Sequence, residues 1–334
     1  MRRPSLCLLL LMLPLLLILP TACGSSGKSG NAKLSLVVYS TPREAYGDII
    51  PAFEKSPAGK DVTFDESYGA SGEQARAVLA GLKADVVAFS LEPDMAKLVD
   101  ANLVAKSWNQ NAYHGMVTDS IVVFVVRPGN PKNVQTWDDL LKPGVDVITP
   151  NPFTSGGARW NIMAGYGAWL KNGATPKQAE AKLEQLFRNV SVQDKSARES
   201  LQTFTAGKGD VLLAYENEAY FAKKNGQSMD YVTPDTTILI ENPVAATSAN
   251  ANPAAAKAFL DFLYTPTAQR IYAKNGYRPV VKSVAGEFAK TFPTNLTIFK
   301  IDELGGWAKV MKAFFDPQTG TMAGIERRVG GSTG

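Results

Sequence analysis

The sequence predicts an α/β protein whose largely parallel sheets form two facing lobes, and three observations carry that prediction. From Leu34 onward, short apolar runs end in Gly/Ser/Pro turns and lead into helical patterns, the strand–turn–helix–strand alternation of α/β folds. Ser120–Val126 is continuously apolar after its first residue, as a strand buried on both faces would be. Two distant stretches, 80–89 and 206–215, share a shape: each follows a helix pattern and ends an apolar strand on an aromatic, Phe89 or Tyr215. Similar units in two halves suit two facing lobes, and 334 residues are enough for both.

The elements follow in order. Leu34–Tyr39 reads as a strand ended by Ser40-Thr41-Pro42, and Ala45, Ile49 and Phe53 mark one face of the next helix. Val62–Ser67 alternates as a strand. Ser71 with Gln74 reads as a capping box before a helix through Val78 and Leu82, and Ala84–Ser90 is the next strand. Ser120–Val126 is the first crossing between lobes, stopped by Arg127-Pro128-Gly129-Asn130-Pro131. Val145–Ile148 ends a strand, and Thr149–Trp160 leads into a helix around Met163 and Leu170. Thr175-Pro176 opens another helix. Asn189–Gln193 is a strand, Ser196 with Glu199 a second capping box, and Asp210–Glu216 a further strand. Thr236–Ile240 is the return crossing. Asn252-Pro253 and Thr265-Pro266 start helices, another lies near Gly306–Phe315, and the Gly-rich tail at 317–334 is expected to fray.

The N-terminus is a targeting segment. Arg2 and Arg3, an apolar stretch from Leu6 to Leu19, and Thr21-Ala22-Cys23 make a signal at 1–22, too short for a membrane span. Residues 23–33 have the composition of a flexible linker. The pattern resembles a bacterial lipoprotein signal, which implies lipidation of Cys23, with Pro20 where such signals usually have Leu. Cys7 lies inside the signal, so the mature fold has neither a disulfide nor a cysteine metal site. The formal charge is +4, or +2 without Arg2 and Arg3, and no basic-aromatic array appears, which argues against nucleic acid.

Three helix starts follow predicted strand ends with small residues: Ser71-Gly72, Ser155-Gly156-Gly157 and Ser196-Ala197. A helix start offers unpaired N–H groups and the positive end of a dipole, so it suits an anion. One such start is ordinarily a capped helix after a turn. Three facing the crevice at the strand ends would converge on one small anion.

At these residues a family resemblance becomes specific. Thr149–Trp160, with Pro150-Asn151-Pro152 and Ser155-Gly156-Gly157-Ala158-Arg159-Trp160, closely resembles a segment of the periplasmic sulfate-binding proteins of ABC importers. Tyr68–Ala75, Ser196-Ala197-Arg198, Glu216–Ala219, Tyr277-Arg278-Pro279 and Gly305-Gly306-Trp307 match the same family in the same order. The resemblance covers Leu34 to Trp307. It implies a type II periplasmic-binding-protein-like fold, with lobe 1 at 34–118 plus 242–334, lobe 2 at 119–241, and two crossover strands as hinge. It also implies sulfate held by the N–H groups of Ser71, Gly156, Gly157 and Ala197 and by the Ser155 hydroxyl. The family's indole donor falls on Tyr215, a departure, because a phenol oxygen also accepts. A second departure is Tyr39–Glu44, where the family usually has Asp-Pro-Thr before Arg-Glu. Ser40 lies there, and it is expected in a supporting role with Arg159 and Arg198, which compensate charge indirectly or else lie on solvated helix faces.

A hydrolase is the main rival class. Gly69-Ala70-Ser71-Gly72-Glu73 fails the nucleophile elbow at its last position, and His114 is the single histidine, with no triad or metal cluster around it. The expectation is therefore a monomeric, lipid-anchored, extracytoplasmic protein with no cofactor. It would deliver sulfate, or alternatively thiosulfate, molybdate or phosphate, to a permease driven by an ATPase. A structural or adhesive lipoprotein would leave the three helix starts unexplained.

Overall fold

The computed structural model describes residues 32–331; the signal segment and Cys23 lie outside the described residues. β1 (Ala32–Tyr39) leads into α1 (Arg43–Glu54), where Ala45, Ile49 and Phe53 are buried as their spacing predicts. β2 (Val62–Gly69) feeds α2 (Ser71–Leu79), and β3 (Val86–Ala88) feeds α3 (Glu92–Asp100), a helix that sequence patterning did not reveal. The apolar run from Ser120 lies in β4 (Met116–Val126) and is buried throughout. β5 (Val147–Ile148) ends at the loop that opens α4 (Gly156–Lys171), and nearly every α4 residue is buried. A helix apolar all round is a core helix, so α4 has little amphipathic signature.

α5 (Pro176–Arg188) starts from a complete capping box between Thr175 and Gln178. β6 (Val190–Val192) precedes α6 (Ala197–Thr205), capped by Ser196, and β7 (Val211–Tyr215) runs directly into α7 (Glu216–Lys224). β8 (Asp230–Val232) and β9 (Thr236–Ala246) come next, then α8 (Pro253–Leu263) and α9 (Pro266–Lys274), each opened by proline. β10 (Arg278–Pro279), α10 (Lys282–Glu287), β11 (Thr297–Phe299), α11 (Gly306–Phe314) and α12 (Thr321–Val329) complete the described chain.

The strands pair in the order β2-β1-β3-β9-β4-β7-β5-β6, with β8 and β10 on β4 and β11 on β9. β1 pairs parallel with β2 and β3, β5 pairs parallel with β6 and β7, and β11 runs parallel to β9. β4 and β9 run antiparallel to each other and to β7 and β3. The sheet is therefore mixed where a mostly parallel one was expected, because the crossing strands run antiparallel to each other and to β7 and β3. Each crossing strand also changes partner midway. β4 pairs with β9 as far as Ile121 and with β7 from Val122, while β9 passes from β4 to β3 at Val244.

Two expectations are corrected. Ser71 is the first residue of α2 and not its cap: the cap position is Ala70, and no side chain caps the helix. Ser71 instead donates to Asp94 Oδ2 at 2.7 Å, while Gln74 Nε2 donates to Ser67 Oγ at 3.1 Å. The expected frayed tail contains α12, whose Met322, Ala323, Ile325 and Glu326 are buried against the rest of the fold. Those apolar residues supply the burial that a Gly-rich composition conceals.

Candidate anion-binding cleft

Where the ends of β1, β3 and β7 meet the starts of α2, α4 and α6, the chain forms a small, partly open cavity with an interior volume of about 10 Å³. Its wall is formed by Tyr39, Ser40, Thr41, Ala70, Ser71, Ser90, Ser155, Gly156, Gly157, Ala197 and Tyr215. The six residues expected to touch an anion, and Ser40, all line it; Arg159 and Arg198 do not. Two larger open hollows of about 500 and 510 Å³ lie elsewhere, beside Leu82 and beside Trp108, and gather no helix starts.

The donors have local causes. Ser71, Gly156 and Ala197 are first residues of their helices and Gly157 is a second, so their N–H groups have no intrahelical acceptor. Ser155 caps α4: its Oγ accepts from Ala158 N at 3.4 Å, which leaves its hydroxyl proton free for the cavity. Ser196 caps α6 in the same way, accepting from Glu199 N at 3.2 Å, and this directs the Ala197 N–H inward.

The walls approach closely. Gly72 N–H donates to Thr154 O at 3.1 Å, joining the start of α2 to the loop before α4. Trp160 Nε1 donates to Ser90 O at 2.9 Å, and the Tyr215 hydroxyl lies 2.6 Å from Ser90 Oγ. At Gly156 an added Cβ would fall 2.0 Å from Leu91 Cδ2 and 2.5 Å from Ser90 Oγ, so only glycine permits this approach.

Among the described residues, no Lys, Arg, His, Asp, Glu or Cys side chain lines the cavity; the charges stand behind it. Arg198 makes a bidentate pair with Glu44 (2.6 and 2.7 Å), bonds Glu218 at 2.8 and 3.0 Å, and donates to Thr41 O. Burial pushes the Glu218 carboxyl up, and Arg198 offsets this only in part. Arg159 is 4% exposed, donates through Nε to Pro152 O at 2.8 Å, and stands 3.8 Å from the fully buried Asp94. Burial lowers its guanidinium pKa, against the pull of Asp94. Neither arginine lies on a solvated helix face.

Asp94 escaped the sequence reading, and Ser90, Glu44 and Glu218 were given no role in it although they lie in stretches it named. The 80–89 stretch ends on Phe89, which is core, while the next residue enters the cavity wall. Asp94 accepts from the Ser71 hydroxyl across 23 positions, and no local spacing announces such a bond. Tyr39 also lines the cavity; burial raises its hydroxyl pKa, and the neighbouring Thr41 and Tyr277 side chains offset this only in part.

A mixed α/β sheet with two partner-changing strands, closed over a donor-lined cavity, defines the class of two-lobed solute-binding proteins with a type II fold. Residues 34–278 match the model of the bacterial extracellular solute-binding protein family, and the chain belongs to that family. It is 43% identical over 309 residues to a sulfate-binding protein of Synechococcus elongatus, spanning 88% of each chain. It is 40% identical over 305 residues to the Escherichia coli sulfate-binding protein, covering 87% of this chain and 92% of that one. A thiosulfate-binding protein of Pseudomonas aeruginosa is 36% identical over 292 residues, covering 84% of this chain and 88% of the other. Among solved structures, the sulfate-binding protein SubI of Mycobacterium tuberculosis superposes with a TM-score of 0.83 at 43% identity, covering 85% of this chain and all of that one.

Proposed function

We propose that this protein captures sulfate in the closed cleft and hands it to an ABC import permease driven by an ATPase. The observation that carries this reading is the convergence of unpaired N–H groups from three helix starts on a cavity without a charged lining side chain. The donors are the N–H groups of Ser71, Gly156, Gly157 and Ala197 and the Ser155 hydroxyl, with the Tyr215 hydroxyl at the remaining wall. Each hydrogen bond to a charged partner contributes about 1.5–3 kcal/mol, against roughly 0.3–1 kcal/mol for each helix dipole. The aimed donors dominate. Ser40 helps shape the β1 wall, and Arg159 and Arg198 fix the loops that carry the donors.

The reading includes the frame around the site. Lobe 1 comprises 34–118 with 242–334 and lobe 2 comprises 119–241, supported by the partner changes in β4 and β9. Residues 1–22 are the signal, 23–33 the linker, and Cys23 carries the lipid that holds a monomer at the outer face of the membrane. The similar proteins are named as binding proteins, and the role assigned to this chain is binding rather than catalysis. Thiosulfate is the second reading, favoured by the thiosulfate-binding relative.

Calorimetric titration with sulfate, thiosulfate, molybdate and phosphate tests the proposal. Sulfate is expected to bind most tightly. Absence of binding for every oxyanion rules out the transport role, and tighter thiosulfate binding replaces sulfate with the second ligand.

A further inference from the structure

Ser90 is one of the wall residues that the donor set leaves without a part. It is 3% exposed and held from several sides. Its N–H donates to Ser71 Oγ at 3.0 Å, and its carbonyl accepts from Trp160 Nε1 and Asn242 Nδ2, each at 2.9 Å. Ser71 Oγ is itself oriented by donating to Asp94 at 2.7 Å. A hydroxyl on so constrained a backbone is preorganised, the condition for an accurate ligand contact.

The Ser90 hydroxyl and the Tyr215 hydroxyl lie 2.6 Å apart. Together they carry two protons, and only one can lie between the oxygens. Burial raises the Tyr215 pKa well above its usual value, and the bonds to Ser90 and Asn242 offset this only in part, so the phenol stays protonated. A phenol is the stronger donor and an alkyl hydroxyl the better acceptor. Tyr215 therefore donates to Ser90, and the Ser90 proton remains for the cavity.

We propose that the Ser90 hydroxyl touches the captured oxyanion beside that of Ser155, and that Tyr215, in place of donating to the anion itself, acts through Ser90 as a positioning residue. This rests on the oxyanion reading of the cleft and adds a specificity device to it. With Tyr215 occupying one of its two lone pairs, the Ser90 hydroxyl is biased toward donating. An oxyanion without protons is accepted at that corner. A proton-bearing oxyanion such as hydrogen phosphate meets a donor facing a donor. In Tyr215→Phe the Ser90 hydroxyl can turn and accept, so discrimination against phosphate falls.

The test is calorimetry of the purified protein and its variants with sulfate and with phosphate, beside thermal melts without anion. Ser90→Ala is expected to weaken sulfate binding by about 10–100-fold, the size of one hydrogen bond to a charged partner. Tyr215→Phe is expected to weaken sulfate by less and to narrow the sulfate-to-phosphate ratio by about tenfold. Ser90→Cys, nearly the same shape with a weak donor, must reproduce the loss if Ser90→Ala fails to fold. Sulfate affinity within twofold of the parent in both Ser90 variants overturns the proposal. So does an unchanged anion ratio in Tyr215→Phe. A parent that binds no oxyanion overturns instead the reading on which it rests.

Discussion

At Gly156 one hydrogen atom separates a closed cleft from an open one. Its Cα faces Leu91 and Ser90 so closely that a methyl group would overlap both, and Ser90 cannot retreat because its own N–H and carbonyl are bonded. The overlap exists only while the walls meet. Gly156→Ala should therefore charge its cost to binding: overpacking of this kind costs about 1–3 kcal/mol, roughly a 5–150-fold loss of sulfate affinity. The melting temperature without sulfate should move much less than that cost implies. Paired calorimetry and thermal melts decide it; equal losses in both would mean that the methyl harms the fold itself. Gly156 and Gly157 were legible in the sequence because small residues after a cap are a local signal. Ser90, Asp94 and Glu44 were not, because what makes them matter is a neighbour tens of positions away.

Among the elements, α12 shows how a buried acid can fasten a helix. Glu326 is fully buried, and its Oε2 accepts from Gln193 Nε2 at 3.0 Å. Its other oxygen, Oε1, and Gln193 Oε1 are both buried without a partner. A single proton on Glu326 would satisfy both, making a paired acid–amide ring between α12 and the segment after β6. Burial raises the Glu326 carboxyl pKa, and the bond from Gln193 offsets this only partly. The sign follows: the native state binds this proton more tightly, so the contribution is fully present below the unfolded pKa and is lost as pH rises through the folded one. Glu326→Gln can make the same two bonds at any pH. It should raise stability above neutral pH by about 1 kcal/mol, and amide exchange in α12 should lose the parent's acceleration with pH. A parent and variant with parallel stability curves from pH 4 to pH 8 would rule out the shared proton. α12 also marks where patterning fails. Glycines at 320, 324, 330 and 331 suggested fraying, but burial of Met322 and Ile325 overrides that weak local preference. The starts of α4, α5 and α9 were readable, because a cap followed by Gly or Pro is a short-range device.

For the whole molecule, the question is what holds the two halves together over an anion. The alternation of strands and helices announced the α/β class, and the apolar runs announced both crossing strands. Their antiparallel pairing did not show, because pairing partners leave no mark on a single strand. The charges behind the cleft were also unreadable as a group. Arg198 faces two carboxyl groups, Glu44 from α1 and Glu218 from α7, so acidic side chains stand beside the donor set. Two effects of Glu44 on an anion therefore oppose each other. Its charge repels the anion through the protein, while its bidentate bond joins the start of α1 to the start of α6 and favours closure. The repulsion acts at longer range and is screened, whereas a partly buried bidentate pair is short-ranged and charge-assisted. Closure should win. Glu44→Gln is expected to weaken sulfate binding by about tenfold despite removing a negative charge, and to leave Arg198 paired with Glu218. Small-angle scattering should show a larger radius for the variant than for the parent at the same subsaturating sulfate concentration. Tighter sulfate binding in Glu44→Gln would mean that repulsion is the larger effect and that the α1–α6 pair does not hold the cleft shut.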